Sequence, residues 1–304
     1  MSVKRKYCGV FIPMVSPLTK ALDIDKKAIV NIVNSFIDSC VIPFVLGTTG
    51  ESPSLSFKQK NELVRATVAA VNGREIVVAG IIGNSLPESI DEGNRYADYG
   101  VDAVVATVPN YYPFDSSQMK KYLTKVAGSV RCPVILYNTP ATNHRSIPVG
   151  VIDELSFHPN IAGVKDSERS GERLDRSLNL WKGREDFIFL VGWAAMSVYG
   201  LLNGAAGIVP STGNFVPQLY RRLIDAVKEN KLQEANELQE KTDRISSWYQ
   251  AGRDLSRSIP ALKQIMALKN LCHEYVMPPM YEMDNEEKNS FVSKIKNQLQ
   301  KLDV

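Results

Sequence analysis

The chemistry of this chain is read most directly from a lysine. Lys165 follows Ile161-Ala162-Gly163-Val164. An ammonium carried to the end of an apolar strand loses water, which lowers its pKa and frees a neutral amine as a nucleophile. Two readings stand at this point: a reactive amine, or a rim cation paired with Asp166 or Glu168. Tyr137, in Tyr137-Asn138-Thr139-Pro140, offers a phenol that either relays protons or is a satisfied core group. The segment GTTGES at 47–52 places two hydroxyls and several backbone N–H groups on a turn that opens toward a helix. Such a turn binds a carboxylate, or else is an ordinary glycine-bounded connection with Ser or Thr capping. It lacks the GK[ST] tail of a Walker loop.

Residues so far apart in sequence need a frame that brings them together. Short β-branched apolar runs recur at 9–15, 42–47, 75–82, 102–109, 133–138, 161–166, 187–192 and 205–211. Each is almost continuously apolar, as a parallel strand buried on both faces must be. Stretches of helical period lie between them, at 25–40, 56–72, 88–99, 116–129, 148–156, 170–181, 195–203 and 215–228. Strand and helix thus alternate through the chain, which predicts an α/β fold of the closed (β/α)8 TIM-barrel kind. A doubly wound sheet would place a GxGxxG turn after the first strand, whereas here that strand runs into VSPLTK. After residue 230 the pattern is helical only, at 231–251, 254–271 and 285–302. The expected organisation is a catalytic barrel over 1–230 with a helical extension over 231–304 packed on it. Strand C-terminal ends line the active site of such a barrel. That rule adds Ser167, Gly192, Val209 and Ser211 to Thr48, Thr49 and Gly50 as substrate-binding candidates.

Composition removes several function classes. The net charge of +3 is small, and no basic run is interleaved with aromatics, which argues against nucleic acid. No apolar run is long enough to span a bilayer. The first residues, MSVKRKYCGVFIPMV, read as a solvated start leading into the first strand rather than a signal peptide. The four cysteines form no CxxC pair, so reduced, mostly buried thiols and a cytoplasmic location are expected. Only three histidines are present, His144, His158 and His273, without HxH or HExxH spacing. A metal-dependent mechanism is therefore not expected, and no cofactor is implied.

Taken together, GTTGES, the PNYYPFD loop at 109–115, YNTP and the VKDS lysine resemble the dihydrodipicolinate synthase / N-acetylneuraminate lyase family, from about residue 8 to 270. The resemblance implies pyruvate-dependent class I aldolase chemistry in a TIM barrel, assembled as a homotetramer made from two dimers. By the same resemblance Lys165 forms the Schiff base and Tyr137 relays protons. Thr48 and Thr49 hold the pyruvyl carboxylate and complete the relay. Tyr111 is the tyrosine that some members lend across a dimer interface, with Tyr112 the one-residue alternative. A neutral Lys165 would attack the 2-oxo carbon, and loss of water gives an imine that stabilises charge during cleavage or formation of the adjacent C–C bond.

Departures from the family pattern bear on substrate. Dihydrodipicolinate synthases carry an arginine two residues after the YNxP proline; this chain has Thr142 there and Arg145 three residues on. Sialic acid lyases carry an acidic pair after the strand-seven glycine, where this chain has Gly192-Trp193-Ala194-Ala195. The expectation is retro-aldol cleavage of a 4-hydroxy-2-oxo acid or a 2-keto-3-deoxy sugar acid, giving pyruvate. Dihydrodipicolinate synthase, N-acetylneuraminate lyase, a phosphosugar aldolase using the VPSTGN turn, and a non-catalytic 2-oxo acid binder are the alternatives. A glycosidase would need paired carboxylates at strand ends, and only Glu51 and Asp166 stand near them.

Overall fold

The computed structural model describes residues 2–302. Every apolar run yields a strand: β1 Gly9–Pro13, β2 Ile42–Val45, β3 Val78–Ile81, β4 Ala103–Thr107, β5 Val134–Asn138, β6 Ile161–Asp166, β7 Ile188–Val191 and β8 Gly207–Ile208. They pair in sequence order, all parallel, and β8 returns to β1 to close a barrel. The protein is a TIM barrel. The alternating strand faces feed two apolar cores. Phe11, Phe44, Val78, Val105, Ile135, Tyr137 and Leu190 belong to the inner one. The outward residues, such as Ile12, Val45, Val104 and Val164, pack with the surrounding helices. Burial on both faces is why these strands read as unbroken apolar runs.

The strands are shorter than their sequence runs, for identifiable reasons. At the start of β3 the Val77 N–H donates to the Asp102 carboxylate at 3.0 Å, so a side chain takes the place of a ladder partner. β8 stops after two residues because Pro210 has no N–H to donate and the chain turns into a 3-10 segment, Ser211–Asn214. There the Asn214 side chain donates to the Pro13 carbonyl at 2.9 Å and accepts from the Val15 N–H at 3.0 Å.

One irregularity decides where Lys165 points. The β5–β6 register shifts between Val134 and Ile135, so that Val134 faces Ile161 but Ile135 faces Gly163. Ala162 belongs to the inner core and Val164 to the outer one, a reversal that strict period two forbids. A bulge re-aims the side chains beyond it, and here it turns Lys165 inward beside Tyr137. Gly163 makes the bulge fit, since a Cβ there would lie 2.2 Å from Ile188 Cγ1 and 2.4 Å from Ile188 O. Gly163→Ala is expected to cost about 1–3 kcal/mol, the usual range for overpacking, read by denaturant unfolding. A change below about 0.5 kcal/mol would show that β6 accommodates the methyl group.

The helical stretches fold close to their expected bounds. Lys26–Asp38 is capped by Asp25, and Phe57–Val71 starts with a capping box between Ser56 and Gln59. After β7 the expected single helix is split into a 3-10 turn, Ala194–Met196, and Ser197–Leu202. The solvated start forms a short helix, Val3–Lys6, capped by Ser2. Beyond the barrel run Leu232–Gln250, Leu255–Leu268 and Asn285–Gln300. The cysteines depart from expectation: Cys8 and Cys40 are exposed, Cys132 is buried and Cys272 intermediate. Among the described residues no helix is long and apolar enough to cross a membrane.

Candidate active site

The bulged β6 places Lys165 in register with Tyr137 on one side and Leu190 on the other. Lys165 is 5% exposed. Its Nζ lies 3.9 Å from the centroid of the Tyr137 ring and 4.8 Å from that of Phe44. The rim-cation reading fails on what the neighbouring acids do. Asp166 is paired with Arg173 at 2.7 Å and accepts from the Asn138 amide at 2.8 Å. Glu168 accepts from the same amide at 3.0 Å and from Ser146. Among the described residues no carboxylate pairs with Lys165. Burial is the largest influence on its amine and pushes the pKa down, against an opposing pull from Tyr137.

Tyr137 is the second member. Its hydroxyl lies 3.2 Å from Thr48 Oγ1 at the tip of the 47–52 turn. Burial alone would raise the phenol, but the Lys165 charge and the hydroxyls of Thr139, Thr48 and Ser167 outweigh it and bring the pKa to about 8. Each group's charge shifts the other, so the two titrate as a pair. Burial therefore favours the neutral amine, while the ammonium form favours the ionised phenol, so a proton is shared between them. That combination suits nucleophilic attack followed by proton transfer.

The other predicted residues are spread over the same end of the barrel. In the 47–52 turn, Gly50 N–H is engaged by Gly47 O at 3.1 Å, while Thr48 and Thr49 are partly exposed. Among the described residues the Thr48 and Thr49 amides have no acceptor. Ser167 N–H bonds the Asn138 carbonyl at 2.9 Å, tying β5 to β6 beyond their last pair. Gly192 fits against it: a Cβ there would come within 2.2 Å of Ser167 Oγ. Val209 lies in the inner core. Ser211 Oγ is bound to the Tyr249 hydroxyl at 2.7 Å, so the helix Leu232–Gln250 closes over the β8 end. Thr142 sits in a short helix, Pro140–Asn143, with its hydroxyl turned back to Thr139 at 3.1 Å. Arg145 is exposed. Tyr111 and Tyr112 stand out from the loop after β4, 77% and 68% exposed, in edge-to-face contact with each other.

Several contributors carry no local sequence signal. Phe44, which floors Lys165, looks like any apolar strand residue. Arg173 lies on a helix face, and only the fold brings it to Asp166. Glu51 and Lys263, a buried ion pair, did leave a trace. Lys263 interrupts the apolar series of SIPALKQIMAL, and a lysine at a buried helical position needs a partner.

A parallel barrel whose rim links a desolvated amine to a phenol and a threonine hydroxyl defines the Schiff-base class of barrel aldolases. The chain belongs to the dihydrodipicolinate synthetase family, whose model matches residues 6–298. Members are pyruvate-dependent lyases that work through a lysine Schiff base, and this chain is such an enzyme. It is 30% identical over 264 residues to a DapA-like lyase of Thermofilum pendens, covering 86% of this chain and 88% of that protein. It is 28% identical to the probable 2-dehydro-3-deoxy-D-pentonate aldolase YjhH of Escherichia coli K12, covering 94% of this chain and 95% of the relative. Among solved structures, dihydrodipicolinate synthase from Bacteroides thetaiotaomicron superposes with a TM-score of 0.89 at 30% identity, over 95% of this chain and 98% of that one. YagE, a prophage protein from Escherichia coli K12 solved with pyruvate, gives 0.89 at 25% identity, over 96% and 98%.

Proposed function

We propose that the enzyme cleaves a short 4-hydroxy-2-oxo acid or a 2-keto-3-deoxy sugar acid to pyruvate and an aldehyde, with Lys165 as the Schiff-base residue. The observation that carries this reading is the buried, carboxylate-free Lys165 amine against the Tyr137 ring. Thr48 passes protons to and from Tyr137, and the free amides of Thr48 and Thr49 take the pyruvyl carboxylate. Ser167, Gly192, Val209 and Ser211 shape the rest of the pocket.

The substrate choice rests on what the rim lacks. Thr142 has no charge and its hydroxyl is engaged by Thr139, and Arg145 lies exposed. Thr142 thus supplies no cation for a second carboxylate. Ala194 and Ala195 offer no side-chain acceptors to a polyol, and the Ala194 carbonyl is already taken by Ser197 and Gln239. The likeness to a 2-dehydro-3-deoxy-D-pentonate aldolase supports the same choice. Tyr111 is read as a residue lent to a partner's site in a homotetramer, which accounts for a large aromatic left exposed on a loop. The reading places the chemistry in a cytoplasmic enzyme, on the barrel of residues 1–230 braced by 231–304.

Specificity constants on three substrates test this. A short 4-hydroxy-2-oxo acid is expected to outperform both N-acetylneuraminate cleavage and condensation of pyruvate with aspartate semialdehyde. Loss of a charge-assisted bond costs about 1.5–3 kcal/mol, or roughly 10–150-fold in kcat/KM. A lead for aspartate semialdehyde that Arg145→Ala removes would make the chain a dihydrodipicolinate synthase with a relocated arginine.

A further inference from the structure

Glu51 ends the turn that carries Thr48 and Thr49, and it sits in the left-handed region at φ 58° and ψ 25°. A side chain is held there only when its surroundings fix it. The surroundings come from outside the barrel. Glu51 Oε1 lies 2.5 Å from Lys263 Nζ, with both side chains 0% exposed. Oε2 accepts the Met277 N–H at 2.6 Å, and Lys263 donates to the Tyr275 carbonyl at 2.7 Å. Lys263 stands on the helix Leu255–Leu268.

The turn transmits this anchorage to the site. Glu51 N–H donates to Thr48 O at 3.1 Å, and Thr48 Oγ1 is the hydroxyl 3.2 Å from Tyr137. Gly50 between them has little slack, since its carbonyl accepts the Ser16 hydroxyl at 2.5 Å and its Cβ position lies 2.9 Å from Met14 O. A buried ion pair adds little stability over apolar residues of similar size. What it does supply is direction, because both charges demand fixed partners.

We propose that Glu51 and Lys263 are positioning residues: they pin the Thr48 turn to the helix Leu255–Leu268 and so set the Thr48–Tyr137 contact on which proton transfer depends. The inference rests on the assignment of Lys165 and Tyr137 made above. Lys165 is the titratable group that bears on Tyr137; the other groups facing it, Thr139, Thr48 and Ser167, are neutral. Withdrawal of the Thr48 hydroxyl removes an influence that holds the phenol down, so Tyr137 then ionises at higher pH.

The test compares Glu51→Gln, Lys263→Met and the double variant, with kinetics expressed per Lys165 site trapped by borohydride and pyruvate. The direct fields of the single variants oppose each other. Loss of the carboxylate favours the ionised phenol, and loss of the ammonium disfavours it. In the double variant the two fields largely cancel and no orphaned charge is left, so placement alone is read. It is expected to trap pyruvate on Lys165, while kcat falls on the order of 10–100-fold, the scale of a small misplacement, and the alkaline limb of kcat/KM moves up. Lys263→Arg keeps the charge, changes the reach, and is expected to move the limb the same way by less. Parental kcat and an unmoved limb in the double variant and in Lys263→Arg overturn the proposal and leave Lys165 and Tyr137 in their roles. Failure of the parent enzyme to trap pyruvate at Lys165 overturns that assignment itself.

Discussion

Lys165→Ala is expected to abolish turnover and the covalent adduct together. Borohydride reduction in the presence of pyruvate should leave one labelled lysine in the parent, mapped by peptide mass to Lys165, and none in the variant. The physical ground is desolvation, since the amine lies against the Phe44 and Tyr137 rings and its neighbouring acids are held by Arg173, Asn138 and Ser146. An uncompensated ammonium is disfavoured in such surroundings, so the nucleophile is present below the usual lysine range. Among the described site residues Lys165 alone carries an amine that can form an imine. The expected loss is therefore the whole covalent route rather than a fraction of it. EDTA should leave the parent's activity intact. A label on a different lysine, or an activity that chelation removes, would end the Schiff-base assignment.

Tyr137→Phe is expected to keep the fold and lower kcat by about 10²–10⁴-fold, the range of a general acid–base group. The ring remains to pack against Lys165, and only the hydroxyl and its contact with Thr48 are lost. The pH profile gives a second readout. In the parent, kcat/KM should rise as the coupled pair sheds its first proton and fall as it sheds the second, with Tyr137 drawn down to about 8 by the Lys165 charge and its hydroxyl neighbours. The variant should lose the alkaline limb. Its acid limb should move down, because Tyr137 opposes the downward push of burial on Lys165. Turnover within a few-fold of the parent, with the bell unchanged, would reduce Tyr137 to a core residue.

The barrel was legible in the sequence because its signal is repeated. Burial on both faces leaves the same apolar mark in run after run, from Val10 to Ile208, and a helix-period stretch follows each. Strand ends were less legible, because they depend on substitutes for ladder partners such as Asp102 and Asn214, which sit far off in sequence. Lys165, Tyr137 and Thr48 stood out by type and by position at strand ends. Their convergence did not. Counting by twos from Ala162 turns Lys165 out of the barrel, and the bulge that corrects this is a pairing between strands, which no stretch of β6 alone encodes. Glu51 read as a stray carboxylate near the site, because its partner Lys263 is separated from it by most of the chain.

The seam between β8 and β1 has a consequence of its own. In a parallel ladder, one residue's amide donates to the carbonyl before its opposite number and its carbonyl accepts from the amide after it. Asn214 does this around Met14 with a side-chain carboxamide, reaching Pro13 O and Val15 N–H. A borrowed amide thus plays the part of a peptide unit at the point where the ring is completed. The main chain from Pro210 to Gly213 is released from the duty of staying extended, and it can coil as the pocket requires without opening the cylinder. Closure and loop shape are thereby assigned to different atoms. Sequence drift in the rim can reshape what the barrel accepts, while the Gly9–Gly207 and Val10–Ile208 pairs and the Asn214 carboxamide keep the seam joined.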